Sequence, residues 1–169
     1  MRKFCFLLSC ILILQLFAGC SRKDDEILKP VNFYYINKEI SYNTQSGVIS
    51  PEIREGAQFH SLDDLLKLYM EGPASENLQS LFPDGVSLLS CAVENETAYI
   101  YLSSDFAELS GIKLTTVCSA MLLTARDYAG IQEISVRAEN AKLDDKDEFL
   151  LSLDEIVLMD TVVSEETKE

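Results

Sequence analysis

The run Val86-Ser87-Leu88-Leu89-Ser90-Cys91-Ala92-Val93, followed by Glu94-Asn95-Glu96 and then Thr97-Ala98-Tyr99-Ile100-Tyr101-Leu102, decides the fold. Two apolar, strand-like stretches joined by three polar residues form the pattern of a β-hairpin. Side chains alternate across a strand, so Ala98, Ile100 and Leu102 share one face while Tyr99 and Tyr101 share the other. One face of this hairpin is therefore expected to be core.

Outward from the hairpin, helix and strand signals alternate. Upstream, Val31 to Ile36 is rich in aromatic and β-branched residues and reads as a first strand. Short partners are expected at Ile40 to Tyr42 and Val48 to Ile49. Ser61-Leu62-Asp63-Asp64 is a helix start, with a hydroxyl to cap free amides and acids to oppose the positive end of the dipole. Leu62, Leu65, Leu66 and Tyr69 then lay one apolar stripe along a short helix that Gly72-Pro73 stops. Leu78 to Phe82 is expected to add a further helical turn, closed by Pro83-Asp84-Gly85.

Downstream, a longer helix opens at Gly111. Leu114, Val117, Cys118, Met121, Leu122 and Ala125 keep helical spacing, and Gly130 suits a left-handed cap. Ile134, Val136 and Ala138 alternate with Glu133, Ser135 and Arg137, the pattern of a strand with one solvated face. Lys142 to Glu148 reads as an acidic surface turn. Phe149 to Val163 is expected to supply a short helix or strand covering a sheet edge or the tail of the core, before a charged end at Ser164 to Glu169. The expected class is α+β, a single small domain of β-α-β-β-α-β order with its helices packed on a small sheet.

The first residues predict export. Met1-Arg2-Lys3 is a basic patch, and an apolar run from Phe4 to Phe17 follows it. A spanning helix needs roughly 20 apolar residues, and this run is shorter. It ends in Leu16-Phe17-Ala18-Gly19-Cys20, which resembles the lipobox read by the lipoprotein signal peptidase, with Phe17 where a small aliphatic residue is commoner. The resemblance implies cleavage before Cys20 and lipidation of that thiol with diacylglycerol and palmitate. Two or more acyl chains at about 0.8 kcal/mol per buried CH₂ give stable attachment. The charged run Ser21 to Glu26 suits a solvated tether. The expected divisions are a signal at 1–19, a lipidated tether at 20–30, a domain at 31–140 and a C-terminal extension at 141–169. The expected location is the outer face of a bacterial cell membrane.

The chain carries 14 basic and 28 acidic residues; without Arg2 and Lys3 the balance is 12 to 28, a formal charge of −16. Such a surface repels phosphate backbones and argues against nucleic acid as a partner. Cys5 and Cys10 fall in the signal, which leaves Cys91 and Cys118 either to pair in an oxidising compartment or to serve as two small buried hydrophobes.

The order of these motifs resembles the GerMN domain of bacterial spore germination and sporulation proteins. The residues that carry it are Phe33-Tyr34-Tyr35-Ile36-Asn37, Leu65-Leu66 with Glu71-Gly72-Pro73, Leu81-Phe82-Pro83-Asp84-Gly85, and Ala98-Tyr99-Ile100-Tyr101-Leu102-Ser103 with Asp105-Phe106. A long helix before Gly130 and Ile134 to Val136 completes them. The resemblance spans about residues 31 to 140. It implies an extracytoplasmic module, often on a lipoprotein, similar to ring-building motifs of envelope assemblies, with no catalytic residues and no cofactor. Here Ala138-Glu139-Asn140 replaces the glycine turn the family often has, and the chain has room for one copy where the first member described has two.

Catalytic constellations are sparse. His60 is the single histidine, so a histidine metal cluster is excluded and any Ser-His-Asp triad has to use it. It precedes the helix cap Ser61, a position for a surface residue. Asp144-Asp145-Lys146-Asp147-Glu148 invites calcium, which prefers clustered carboxylates, but lacks the central glycine and spacing of an EF-hand loop. Asn95-Glu96-Thr97 fits a glycosylation sequon and equally a polar hairpin turn. Tyr34, Tyr35, Tyr99 and Tyr101 are the candidate contact residues: in adjacent strands they form an aromatic strip for partner proteins or sugars, and otherwise they pack under a helix. The expected function is a non-catalytic lipoprotein of sporulation, germination or the cell wall. Its expected partners are the bilayer and envelope or spore-assembly proteins, with a homo-oligomer left open. The alternatives are a peptidoglycan or glycan binder using the tyrosines, and a hydrolase built on His60 or the acidic run.

Overall fold

The computed structural model describes residues 30–39, 48–54, 59–80 and 82–156. Strand β1 (Val31–Asn37) is followed by β2 (Ile49–Arg54), helix α1 (Leu62–Met70), β3 (Leu78–Gln79) and the hairpin β4 (Leu88–Glu94) and β5 (Thr97–Leu102). A 3-10 turn at Ser104–Glu108 leads into α2 (Gly111–Ala129), and β6 (Glu133–Ala138) and β7 (Phe149–Ser152) follow. Among the described residues the class is α+β, with two α-helices and two sheets. One sheet has the order β2-β1-β3 and the other β4-β5-β6-β7. All pairings are antiparallel except β5 with β6, which α2 connects as a crossover.

The hairpin forms where expected. Glu94 lies opposite Thr97, leaving a two-residue turn in which Asn95 adopts φ 57°. Helix α1 starts at Ser61, whose hydroxyl accepts the Asp64 amide at 3.1 Å, and its stripe Leu62, Leu65, Leu66 and Tyr69 is buried. Helix α2 ends at Gly130, left-handed with φ 71°, whose amide donates to the Arg126 carbonyl at 2.8 Å. Its start is capped from a distance: the Asp144 carboxylate accepts the Gly111 amide at 3.0 Å. Asp144 and Asp145, both at positive φ, form a tight turn between Leu143 and Lys146. The acidic run is thus an element of helix capping, with Leu143 buried behind it.

Three expectations are corrected. Leu78–Gln79 is a strand, not a helical turn: it pairs with Ile36 and Asn37, whose outer edge would otherwise lack partners, and Leu78 enters the core. Leu81 and the expected strand at Ile40 to Tyr42 lie outside the described residues. The partner of β1 begins at Ile49 and runs six residues to Arg54, through Pro51. Ser135, expected on a solvated face, is 1% exposed because the Glu148 side chain lies over it and accepts its hydroxyl hydrogen. Strand β3 is an addition to the expected order, whereas β2 extends the short partner expected at Val48 to Ile49 and β7 is the edge-covering strand expected from Phe149.

Pro51 is tolerated because it faces Tyr34 across a non-bonded pair, where neither residue points its backbone at the other. The backbone of Tyr34 points instead at the helices. Its amide donates to the Thr124 hydroxyl at 3.0 Å, and its carbonyl accepts the Tyr69 hydroxyl at 2.8 Å. Thr124, fully buried on α2, passes its own proton to the Ala120 carbonyl at 2.9 Å. Phe33 and Tyr35 meanwhile enter a core shared with α1, α2 and both sheets, and Tyr35 and Tyr69 stack at 4.9 Å between ring centroids.

Thr124→Val keeps the shape of the side chain and removes the acceptor. It is expected to destabilise the fold by about 1–3 kcal/mol in urea unfolding, the usual loss for an orphaned buried amide, and Thr124→Ser is expected to restore most of it.

Candidate docking surface

The four-stranded sheet has one face on the core and one in solvent. On the outer face of β5, Tyr99 is 43% and Tyr101 36% exposed. Strand pairing sets their neighbours: Tyr99 lies between Ala92 on β4 and Ser135 on β6, and Tyr101 between Ser90 and Arg137. Beyond Ser135, Leu150 on β7 is 58% exposed. Ala92, Tyr99, Ser135 and Leu150 therefore form one row across all four strands, with Tyr101 and Arg137 in the next. Arg137 reaches the Glu148 carboxylate at 3.3 Å, at the rim. Glu148 lies below the usual carboxylate range because it accepts from Ser135; burial opposes this and Arg137 adds to it.

The four candidate tyrosines are not brought together. Tyr34 and Tyr35 belong to the three-stranded sheet, Tyr99 and Tyr101 to the other. Tyr35 is 1% exposed and donates its hydroxyl hydrogen to the Tyr69 carbonyl at 2.9 Å. Burial pushes its hydroxyl well above the ordinary range, and nearby Arg54 offsets only part of that. Tyr34 is half-buried and donates to Asp127 at 3.0 Å. Its hydroxyl is pushed up by burial and then by the Asp127 carboxylate. A continuous strip of four is thus replaced by a pair, Tyr99 and Tyr101.

Other candidates take structural places. His60 is exposed ahead of α1. Cys91 and Cys118 are both free thiols, Cys91 on β4 and Cys118 buried in α2. Burial pushes Cys91 up to about 11, with a smaller push from Asp63, and drives Cys118 further up. Neither is a thiolate at neutral pH. Among the described residues no three His, Cys, Asp or Glu side chains group as metal ligands. No helix among them is long and apolar enough to cross a membrane. Cys20 lies outside the described residues.

Sequence reasoning missed one charged cluster. Glu52 and Arg54 alternate along β2 and so share the face of Phe33 and Val31. Arg54 lies 4.7 Å over the Phe33 ring, bonds Glu52 at 2.9 Å and donates to the Gly72 carbonyl at 2.6 Å. Glu52 accepts the Ser75 amide at 2.8 Å. The pair clamps the loop after α1 onto the sheet. The signal was present as Glu-x-Arg in a strand, but its partners are distant in sequence.

Residues 32–144 match the family model Germane, described as sporulation and spore germination. The chain belongs to the Germane family. No curated protein matches it by sequence. Two solved structures share the Germane fold. The tandem GerMN domains of the sporulation protein GerM from Bacillus subtilis align with a TM-score of 0.55 at 14% identity, covering 80% of this chain and 49% of that one. The first GerMN domain of the same protein aligns with a TM-score of 0.51 at 14% identity, covering 68% of this chain and 86% of that one. The chain spans about half the length of the tandem structure. The resemblance read from the motifs and the expected fold are thus confirmed together.

Glu52 is the group whose titration reports on the clamp. Burial acts to raise its carboxyl, but the Ser75 amide, Arg54 and the Ala74 amide outweigh burial and hold it below its ordinary value of 4.5. A lowered folded-state value stabilises fully above 4.5 and is lost as pH falls through the folded value. The stability advantage of the native chain over Glu52→Gln is therefore expected to be present at neutral pH and to shrink on acidification, as urea midpoints measured across the acid range will show.

Proposed function

We propose that this Germane-family protein is a non-catalytic, lipid-anchored envelope component that docks on proteins of a sporulation, germination or cell-wall assembly through the outer face of its four-stranded sheet. The observation that carries the reading is the row Ala92, Tyr99 and Leu150 beside Tyr101, an exposed aromatic and aliphatic patch on a rigid sheet. Aromatic residues on a stiff support bind partners at low entropic cost, and such patches mark interaction sites. The anchor is the acylated Cys20, ahead of the first strand, which confines the sheet to a thin layer beside the bilayer on the extracytoplasmic side.

Two measurements test it. Crosslinking in sporulating cells is expected to join the protein to a partner protein, with the adduct lost on combining Tyr99→Ala and Tyr101→Ala while the fold persists. Capture of wall glycan alone, dependent on the same tyrosines, selects a peptidoglycan binder instead, and loss of function on His60→Ala in a folded chain selects a hydrolase. For the anchor, Cys20→Ala is expected to move the protein from the membrane to the soluble fraction.

A further inference from the structure

Among the described residues, strand β4 is an open edge of unusual character. Pairing fixes which of its groups are free: the Ser103 amide donates to the Ser87 carbonyl at 2.9 Å, whereas the Leu102 carbonyl turns to β6 and accepts the Glu139 amide at 2.9 Å. Odd-numbered residues of β5 therefore bond β4, and their partners Ser90, Ala92 and Glu94 point inward. Cys91 and Val93 turn their amides and carbonyls outward, where among the described residues they find no partner.

Sheet edges are normally blunted by proline, lysine or shortness. Pro51 interrupts β2, β3 has two residues and β7 four. By contrast β4 has seven residues, no proline and no charge before Glu94. Beside it lies α1, with Asp63 near enough to act electrostatically on the Cys91 thiol. At the start of β4 an open cleft of about 290 Å³ lies between the two elements, lined by Lys67, Met70, Glu71, Val86, Ser87 and Leu88. An unpaired edge with a side-chain cleft beside it is the geometry of strand addition, where main-chain bonds give affinity and the cleft gives selectivity.

Charge selects the occupant. Glu71 lines the cleft, Asp63 lies close to Cys91, and the one base among the lining residues, Lys67, is held by Asp63 at 2.6 Å. A second copy of this chain, at a formal charge of −14 over the full sequence, is disfavoured by charge, and the composition of residues 157–169, with Asp160, Glu165, Glu166 and Glu169 against one Lys168, carries the same sign. We propose that the groove between β4 and α1 receives an extended, basic segment of a partner protein, which adds as a strand at Cys91 and Val93 and seats an apolar side chain beside Met70. This rests on the protein-docking reading above and assigns it a second surface. From Leu88 to Cys91 a strand advances about 10 Å, so one short segment reaches both the edge and the cleft.

The test uses the full chain in detergent micelles and a peptide of about ten alternating lysines and valines, with a glutamate-valine peptide as control. The lysine peptide is expected to slow amide exchange at Cys91 and Val93 about fivefold and leave Tyr34 unchanged. Val93→Pro removes an N–H that β5 does not use, and it is expected to abolish the effect while the native spectrum remains. Met70→Lys, which places charge in the cleft, is expected to weaken it and serves if the proline variant fails to fold. Equal slowing by the glutamate peptide overturns the proposal. So does slowing without peptide that grows with protein concentration, which gives the edge to a second copy. Chemical-shift changes confined to Tyr99, Tyr101 and Leu150 overturn the groove but leave the docking reading standing. No change at either surface, joined to cellular crosslinking that captures no protein, overturns both.

Discussion

The backbone of Tyr34 is gripped from two helices at once. Its amide meets the Thr124 hydroxyl of α2 and its carbonyl meets the Tyr69 hydroxyl of α1, at 3.0 and 2.8 Å. Strand groups alternate in direction, so β1 gives its odd residues to β2 and its even ones to the helices and to β3. A strand edge that would otherwise be buried without partners is thereby satisfied by two side-chain hydroxyls. The same grip sets Phe33 and Tyr35 against Tyr69 and places the three-stranded sheet on the helix pair. The Tyr35 hydroxyl on the Tyr69 carbonyl and the Arg54 guanidinium on the Gly72 carbonyl add to the grip.

That arrangement explains which parts of the chain were legible. The stripe of α1, the spacing in α2 and the alternation in β5 are local patterns, and local patterns survive into the structure because they match the burial each element achieves. What escaped was decided at a distance. Leu78–Gln79 is too short to carry a period and becomes a strand only because Ile36 and Asn37 need partners. Pro51 argues against a strand until it is seen opposite Tyr34, and Ser135 looks solvated until Glu148 covers it. Among the tyrosines, alternation told which residues share a face but not which sheet each strand joins. Tyr99 and Tyr101 were therefore placed together correctly, while Tyr34 and Tyr35 went elsewhere.

The division of polar groups has a functional sense. Charges that look like chemistry in sequence are consumed by architecture: Asp144 caps α2, Glu52 and Arg54 clamp the loop after α1, and Glu148 covers Ser135. The thiols lie far above the neutral range through burial. What remains unspent is surface, an aromatic row on one sheet face and an unpaired edge beside it. A Germane-family domain built in this way suits a role in which a rigid body holds a partner in place. On the docking proposed above, its acidic balance would favour basic partners over copies of itself.

Native-state amide exchange at Tyr34 in low urea measures the grip directly. If the two hydroxyls bind β1 to the helices as one cooperative unit, the Tyr34 amide exchanges only through global unfolding, with the same free energy and urea dependence as the amides of β5. Exchange of Tyr34 through a local opening that is insensitive to urea, while β5 stays protected, would contradict it and show that the three-stranded sheet detaches by itself.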